Sequence, residues 1–260
     1  MKQDESTLKP EGDHEQPLIS HLAELRTRLI HSMISVLLVF LALAPFSTEI
    51  YNIISTPLIN QLPEGTSMIA TEVASPFLVP FKLTMYTAIF IVMPYLLFQI
   101  WSFIAPGLYK TEKRFAMPLL FSSILLFYVG TAFAFFIVFP LVFSFFASVT
   151  PEGVAMMTDI SHYLDFIIKM FFAFGLAFEV PIATILLIMT GMVSIETMRQ
   201  KRPYIIIGAF VIGMVLTPPD VLSQFLLATP MLILFELGLY FSKYFVKAET
   251  VEADEEEVSG

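Results

Sequence analysis

Two carboxylates in basic surroundings are the first residues whose types and spacing could bind a ligand. Glu24 lies in the stretch HLAELRTR, four residues before Arg28, in the favourable order for an ion pair along a helix. Glu112 is the one acid in FIAPGLYKTEKR, where three cations surround it. A carboxylate matches the paired donors of a guanidinium, so two converging carboxylates would suit a ligand with two arginines. The alternative is that each acid pairs with a neighbouring cation on an ordinary solvated surface.

A third acid, Glu179, lies near the middle of the apolar stretch FFAFGLAFEVPIATILL. A charge at the centre of a bilayer costs about 2.5–3.5 kcal/mol on insertion scales, so this side chain should face protein or water. Pro181 follows, and because proline cannot donate to the carbonyl of Ala177, it loosens the helix beside the acid. Glu179 is therefore either a functional acid or a structural one with a hydrogen-bond partner such as Gln99.

The composition requires a membrane to hold these residues. Hydrophobic residues make up 57% of the chain and charged residues 14%, whereas about a quarter of a soluble domain is charged. Six apolar segments approach the roughly 20 residues that a spanning helix needs. They are Leu29–Phe46, Pro80–Ile100, Pro118–Phe139, Leu164–Met189, Tyr204–Leu216 and Leu222–Phe241. The sequence therefore predicts an all-α integral membrane protein with six transmembrane helices, in a kinked bundle with short fifth and sixth helices.

The last two segments are separated only by the turn TPPD, so a re-entrant hairpin is the alternative there. Asp220, in that turn, and Gln224 can cap the sixth helix. The fifth segment holds about 13 residues, or about 20 Å of helix, against a hydrocarbon core of about 30 Å. Local thinning of the bilayer would meet this mismatch, unless the span extends from about Lys201 to Asp220. Prolines predict kinks at or within the spans: Pro94, Pro118, Pro140, Pro181 and Pro230.

Lysines and arginines alternate between successive connections, which predicts the orientation of the chain. They occur in the N-terminal tail, in 101–117, in 190–203 and after the sixth segment, but not in 47–79, in 141–163 or in TPPD. Both termini should therefore lie in the cytoplasm. Lys82 and Lys169 lie a few residues inside their spans and are expected to snorkel outward.

The two ends of the chain are polar and acidic, and they carry much of the net charge of -9. Residues 1–16 and 246–260 are expected to be disordered cytoplasmic tails around a transmembrane domain of residues 17–245. Nothing in the charge pattern suggests a nucleic-acid partner. The N-terminus lacks a basic region followed by a short apolar core, so no cleaved signal peptide is expected.

Catalytic signatures are absent from the sequence. HExxH, GxSxG and GxxxxGK[ST] do not occur, the chain has no cysteine, and its four histidines have no metal-ligand spacing. We therefore expect no enzyme activity, no cofactor and no metal. A proton-coupled small-solute transporter that uses Glu179 is the main alternative function, although the related halves common in transporters are not visible. An intramembrane hydrolase would need a nucleophile or metal that these patterns do not supply.

Several stretches, taken in order, resemble the TatC family, the core subunit of the twin-arginine protein translocase. The resemblance runs in family order over about residues 17–244, and it rests on PLISHLAELRTRL, TPLINQLP, MIATEVASPF, WSFIAPGLYKTEKR, FAFGLAFEVP, KRPYIIIGAF and LTPPDVLSQFLLA. The resemblance implies a concave six-helix bundle in the bacterial cytoplasmic (inner) membrane, with both ends in the cytoplasm. It also implies a receptor for folded precursors with twin-arginine signal peptides, whose transport is driven by the proton-motive force.

The resemblance also assigns roles to individual residues of the predicted cytoplasmic face. Glu24 and Glu112 would contact the arginines of the signal peptide. Arg26 and Phe103 would shape or support that pocket. The nearby cations would otherwise repel a basic signal, so the acids must outweigh them locally.

Further roles implied by the resemblance lie elsewhere in the bundle. Pro57, in the first outer loop, and Asp220, in the outer turn, correspond to positions tied to function. Glu179 corresponds to a buried acid on the concave face. Single-span partner subunits, TatB-like and TatA-like, would dock on the fifth helix at Met214 and Val215, with several copies of the chain in each complex.

Overall fold

The structure is a computed structural model of the chain, and it describes residues 15–59, 67–104, 113–151, 157–216 and 220–259. Helices dominate these residues, which confirms the predicted all-α class. The helices are α1 Glu15–Leu43, α2 Ser47–Ile59, α3 Ser75–Ile104, α4 Lys113–Phe133, α5 Phe139–Val149, α6 Ile160–Ala177, α7 Val180–Met189, α8 Ile195–Gln200, α9 Arg202–Leu216 and α10 Val221–Ser259. The other elements are a 3₁₀ turn Ala44–Phe46, a π-helical turn Ala134–Val138, and two strands, β1 Ser67–Ile69 and β2 Met157–Asp159.

Five helical segments in the described part of the chain are long and apolar enough to cross a bilayer. They are His21–Ser55, Ser75–Ile104, Ala116–Phe146, Ile160–Met189 and Val221–Lys243. A sixth apolar stretch lies in α9, whose 15 residues reach only about 22 Å. Together they correspond to the six predicted segments with a short fifth. The prediction of a short sixth helix is wrong, because Pro230 lies inside a continuous α10 and leaves an apolar segment of 23 residues.

The last helix extends well beyond its apolar segment, to Ser259. Residues 246–259 are thus helical, where we expected a disordered acidic tail. Alanine and glutamate have high helix propensity, so the same composition that suggested disorder also favours a helix. Residues 1–14 of the other expected tail lie outside the described residues, and α1 begins at Glu15.

Prolines interrupt the helices at two places. α6 and α7 are separated around Glu179, which is the break that Pro181 predicts. A π-helical turn comes directly before α5, whose second residue, Pro140, cannot donate a hydrogen bond to the preceding turn. In contrast, Pro94 and Pro118 lie inside continuous helices. Proline position alone therefore did not determine where a helix ends.

Aromatic side chains fill the core between α4, α5 and α6. Phe127, Phe139 and Phe174 are fully buried in this core. Gly130 lets α4 and α6 approach each other, since a Cβ there would lie 2.5 Å from the carbonyl oxygen of Phe174. Close packing of this kind is a main source of stability in membrane bundles, because lipid provides no hydrophobic driving force between helices. The central helices therefore form a tightly packed scaffold.

The first helix lies at the edge of this scaffold and packs against α3. Its apolar side chains, including Leu22, Leu25 and Leu29, are exposed and therefore available to lipid. Within residues 21–35 of α1, the partly buried side chains are polar: Glu24, Arg28, Ser32 and Ser35. This single helix pair positions the candidate site described below.

The connections that precede α3 and α6 meet in a short parallel ladder. β1 pairs with β2 in register, from Ser67 opposite Met157 to Ile69 opposite Asp159. The prediction of an all-helical chain did not include these strands. We call this end of the bundle, at the start of α3, the ladder end. The opposite end of α3, near Gln99, is called the groove end.

Asp159 ties the ladder to α6 and to the segment before α3. Its Oδ2 accepts hydrogen bonds from the N–H of Thr71 at 2.9 Å and from the Thr71 hydroxyl at 2.5 Å. Its Oδ1 accepts from the N–H groups of Ser161 and His162 at 2.8 and 3.2 Å, and so caps α6. The Thr71 hydroxyl is the main cause that holds the pKa of Asp159 well below its usual range. These four hydrogen bonds are called the Asp159 clasp.

Candidate functional site

A carboxylate, a guanidinium and an amide meet at the groove end, where α1 contacts α3. Arg28 donates to Glu24 Oε1 from Nε at 2.9 Å and from Nη2 at 2.6 Å. Nη1 of the same guanidinium donates to Gln99 Oε1 at 3.1 Å. Gln99 Nε2 in turn donates to the hydroxyl oxygen of Tyr95, one helical turn earlier. The Glu24–Arg28 pair that the four-residue spacing predicts is therefore confirmed.

These side chains line an open groove of about 720 Å³ between α1 and α3. Its walls also include Ala23, Thr27, His31, Phe98 and Ser102. The side chains of Glu24 and Arg28 are 35% and 25% exposed, so a ligand in the groove can reach both. Partial burial weakens solvent screening, which makes this ion pair stronger than one on an open surface.

The other residues predicted for this pocket have different outcomes. Phe103, in the last turn of α3, stacks on His21 of α1, with ring centroids 4.2 Å apart and 18° between the ring planes. This contact joins the end of α3 to α1, three residues before Glu24. Arg26 is exposed on α1. Glu112 lies outside the described residues, directly before the first residue of α4.

The groove already contains a bound guanidinium, which belongs to Arg28 of the same chain. Two N–H groups of Arg28 converge on one oxygen of Glu24, and within the described residues no hydrogen bond reaches the other oxygen. Hydrogen bonds to charged groups contribute about 1.5–3 kcal/mol each. The arrangement can therefore recognise an arginine side chain by paired, charge-assisted hydrogen bonds.

Glu179 is not part of this groove and faces α4. Its Oε2 accepts a hydrogen bond from the Ser123 hydroxyl at 2.6 Å, and its Oε1 is buried with no hydrogen-bond partner in the described part of the chain. The prediction that Gln99 is its partner is wrong, because Gln99 faces α1 and bonds Arg28 and Tyr95. The sequence indicates how deep both residues lie in the membrane, but not which face of α3 Gln99 occupies.

Two ion pairs between helices were not predicted. Lys82 of α3 pairs with Asp165 of α6, so this lysine has a protein partner instead of only extending toward the membrane surface. The two residues lie at similar distances from the starts of their apolar segments, which is the signal that could have found the pair. Arg202, the first residue of α9, pairs with Glu236 of α10 at 2.6 Å.

Polar residues also join the last two helices. Asp220 caps α10, as predicted, because its Oδ1 accepts a hydrogen bond from the N–H of Ser223 at 2.7 Å. Gln224 does not cap the helix. Its Nε2 donates to the carbonyl of Phe210 at 2.8 Å and so links α10 to α9. Pro57, the other outer residue of interest, lies in the last turn of α2.

The short helix α9 presents an apolar face away from the bundle. It packs mainly against α10. Met214 and Val215 are 59% and 73% exposed, and Ile207 and Val211 are exposed as well. Such a face fits contact with lipid or with an apolar helix of another protein.

The chemistry of these sites is ion pairing and hydrogen bonding. Within the residues that the structure describes, no group of three or more His, Cys, Asp or Glu side chains lies close enough to hold a metal ion. In the groove, Glu24 pairs with Arg28, and next to the groove His21 stacks on Phe103. Recognition of a basic ligand is therefore the function that this geometry fits best.

Comparison with known proteins agrees with these features. Residues 20–230 match the family described as Sec-independent protein translocase protein (TatC). A protein of that name from Azotobacter chroococcum mcd 1 is 62% identical over 235 residues, which cover 90% of this chain and 92% of the relative. The protein from Escherichia coli (strain K12) is 56% identical over 231 residues, which cover 89% and 90%. A crystal structure of the twin-arginine translocase receptor TatC has a TM-score of 0.76 and 36% identity, covering 86% of this chain and 98% of that chain.

The apolar helices define a multi-pass membrane protein with a polar groove between α1 and α3. The chain belongs to the TatC family, the core component of the twin-arginine protein translocase. It is therefore a transport protein, as the resemblance in its sequence implies.

Proposed function

We propose that this chain is the receptor and core subunit of a translocase that moves folded proteins with twin-arginine signal peptides across the cytoplasmic membrane. The observation that carries this proposal is the groove in which Glu24 already accepts two hydrogen bonds from a guanidinium. A signal arginine would use the same carboxylate, and the proton-motive force would drive transport. The solved TatC structure that this chain resembles is described as a receptor, which supports the proposal.

Glu112 is proposed as the second carboxylate of the receptor. It directly precedes α4, and only residues 105–112 separate α4 from the end of α3. Trp101, near the end of α3, and Leu119, near the start of α4, share one buried cluster, so the two helix ends that flank 105–112 lie near each other. Two acids at this end would give each arginine of the signal its own anion. Arg26 and Phe103 would support the pocket from α1 and from the last turn of α3.

The exposed face of α9 is proposed as the docking surface for single-span TatB-like and TatA-like subunits. Met214 and Val215 would contact them. At about 22 Å, α9 is shorter than the roughly 30 Å hydrocarbon core, so a partner helix or a thinned bilayer must cover the mismatch. Several copies of the chain would assemble into one complex with these partners.

The cations of the connections favour an orientation with both termini and the groove end in the cytoplasm of a bacterial cell. The Asp159 clasp, Pro57 and Asp220 would then lie toward the outer face. We propose no enzyme activity and no cofactor for this chain. The alternative of a small-solute transporter gains no support, because the relatives it matches are named as protein translocase components.

The test measures binding of a precursor with a twin-arginine signal to membranes that contain the full-length chain. Changing Glu24→Gln together with Glu112→Gln should abolish binding and export. Glu196→Gln is the matched control, since it removes one exposed acid from α8 without touching the groove. If the double variant binds the precursor like the unmodified chain, the receptor assignment is wrong.

A further inference from the structure

Arg28 occupies the carboxylate that the proposed function assigns to a signal arginine. Its guanidinium makes three hydrogen bonds, two to Glu24 Oε1 and one to Gln99 Oε1. The pair joins residues four apart on one helix, so it forms without any partner and at no cost in long-range ordering. An incoming guanidinium therefore meets a carboxylate that is already neutralised.

We propose that Arg28 is an internal placeholder that sets the affinity of the receptor for its signal. In the resting chain, Arg28 holds Oε1 of Glu24 and neutralises its charge, and a signal arginine must displace Arg28 to use both oxygens of the carboxylate. This inference rests on the proposed function, because it concerns the same carboxylate. The binding free energy is then the free energy of the pair between the signal arginine and Glu24 minus that of the Arg28–Glu24 pair that it replaces.

Gln99 gives the displaced guanidinium a second acceptor. Its Oε1 already receives Nη1 of Arg28 at 3.1 Å, and its own amide is held by the hydroxyl of Tyr95. Arg28 can therefore turn from Glu24 toward α3 without losing every partner. The exchange moves Arg28 within the groove, whose walls already include all four side chains.

A placeholder and a positioning residue predict opposite effects on affinity. A placeholder competes with every ligand of Glu24, so its removal tightens binding of arginine and lysine signals by the same factor. A positioning residue would hold the Glu24 carboxylate in its productive orientation. Its removal would weaken binding and reduce the preference for arginine over lysine.

The experiment measures dissociation constants of fluorescent twin-arginine and twin-lysine signal peptides with the full-length chain in lipid nanodiscs. Arg28→Met removes the donors but keeps an apolar stem of similar length. We expect it to tighten the dissociation constant of both peptides about threefold to tenfold, with their ratio unchanged. Arg28→Lys keeps a cation without the paired donors, so its affinity should fall between the two. Arg199→Met is the control for loss of one exposed cation, with a change below about twofold.

Adding Glu24→Gln separates the two proposals. If Glu24→Gln alone leaves binding of the twin-arginine peptide unchanged, the proposed function fails. If Glu24→Gln weakens binding but Arg28→Met binds equally or more weakly than the unmodified chain, the function stands and the placeholder is overturned. Should Arg28→Met fail to fold, Arg28→Lys decides the question. Tighter binding than the unmodified chain supports the placeholder, and equal or weaker binding overturns it.

Discussion

The ladder end and the groove end are each organised around one carboxylate, and the two differ in what satisfies it. Asp159 accepts four hydrogen bonds, three of them from backbone N–H groups that no ligand can replace. Glu24 accepts its bonds from one long, partly exposed side chain. Backbone donors fix a structure, whereas an exchangeable side chain leaves a carboxylate available. A carboxylate therefore serves as a clasp at one end of α3, and at the other end we propose that one serves as part of a receptor.

The difference between the two ends is tested most strongly by removing the carboxylate of Glu24 at the groove end. Glu24→Gln should weaken binding of a twin-arginine peptide roughly tenfold to a hundredfold, because a charge-assisted pair is lost. The thermal stability of the purified chain should change little, since the Glu24–Arg28 pair is partly exposed. Binding is measured by fluorescence anisotropy and stability by thermal unfolding in detergent. A large loss of stability with unchanged binding would reverse the roles assigned to the two ends.

The scaffold between the two ends is tested at Gly130. Gly130→Ala would place a Cβ 2.5 Å from the carbonyl oxygen of Phe174, so α4 and α6 must separate. We expect a destabilisation of about 1–3 kcal/mol, measured by unfolding in mixed micelles. Gly208→Ala is the matched control, because nothing lies within 4 Å of a Cβ at that position. Equal stability of the two variants would contradict the close packing described for the core.

The sequence predicts the parts of this fold that depend on local patterns. The apolar segments, the short α9 and the break before Pro181 all follow from runs of residues or from one proline. The Glu24–Arg28 pair follows from a four-residue spacing on one helix. Each of these features is set within a few turns of chain.

Contacts between distant residues could not be predicted in this way. The Asp159 clasp joins residues 88 apart in sequence, and nothing near Thr71 indicates its partner. Gln99 is one partner that the sequence offers for Glu179, but its side chain faces α1 and bonds Arg28, 71 residues away. The predicted short sixth helix is likewise absent, because α10 continues through Pro230 and packs on α7 and α9.

The clasp itself is tested by Asp159→Asn. The amide nitrogen of asparagine cannot accept the two hydrogen bonds from Thr71, so one half of the clasp should open. We expect faster hydrogen exchange at the amide of Thr71 than at that of Ser161, a smaller loss of stability than for Gly130→Ala, and unchanged peptide binding. Weaker binding in this variant would show that the two ends are coupled and not independent.

The pH dependence of stability gives a finer test of the same carboxylate. The pKa of folded Asp159 lies below its usual value of about 3.9, so its stabilising effect is fully present above about pH 4. The effect is lost as pH falls through the folded pKa. The difference in stability between the unmodified chain and Asp159→Asn should therefore be constant from neutral pH to about pH 5 and shrink on further acidification. A difference that grows as pH falls would contradict the clasp.

The smallest effect is expected at the ion pair between Lys82 and Asp165. A double-mutant cycle with Lys82→Met and Asp165→Asn should give a coupling free energy of about 0.6 kcal/mol, typical of polar contacts between transmembrane helices. The measurement is unfolding in mixed micelles for the four chains of the cycle. A coupling of several kcal/mol would mean that this pair, and not the clasp, fixes α3 to α6.

The central claim is that the groove between α1 and α3 binds the arginines of the signal. A photocrosslinking residue at Thr27, on the groove wall, tests it most directly, with Val73 at the ladder end as the control position. We predict that Thr27 captures a precursor with a twin-arginine signal, that replacing the two arginines with lysines sharply reduces capture, and that Val73 captures neither. Equal capture at both positions, or capture at Thr27 that does not depend on the arginines, would contradict the account.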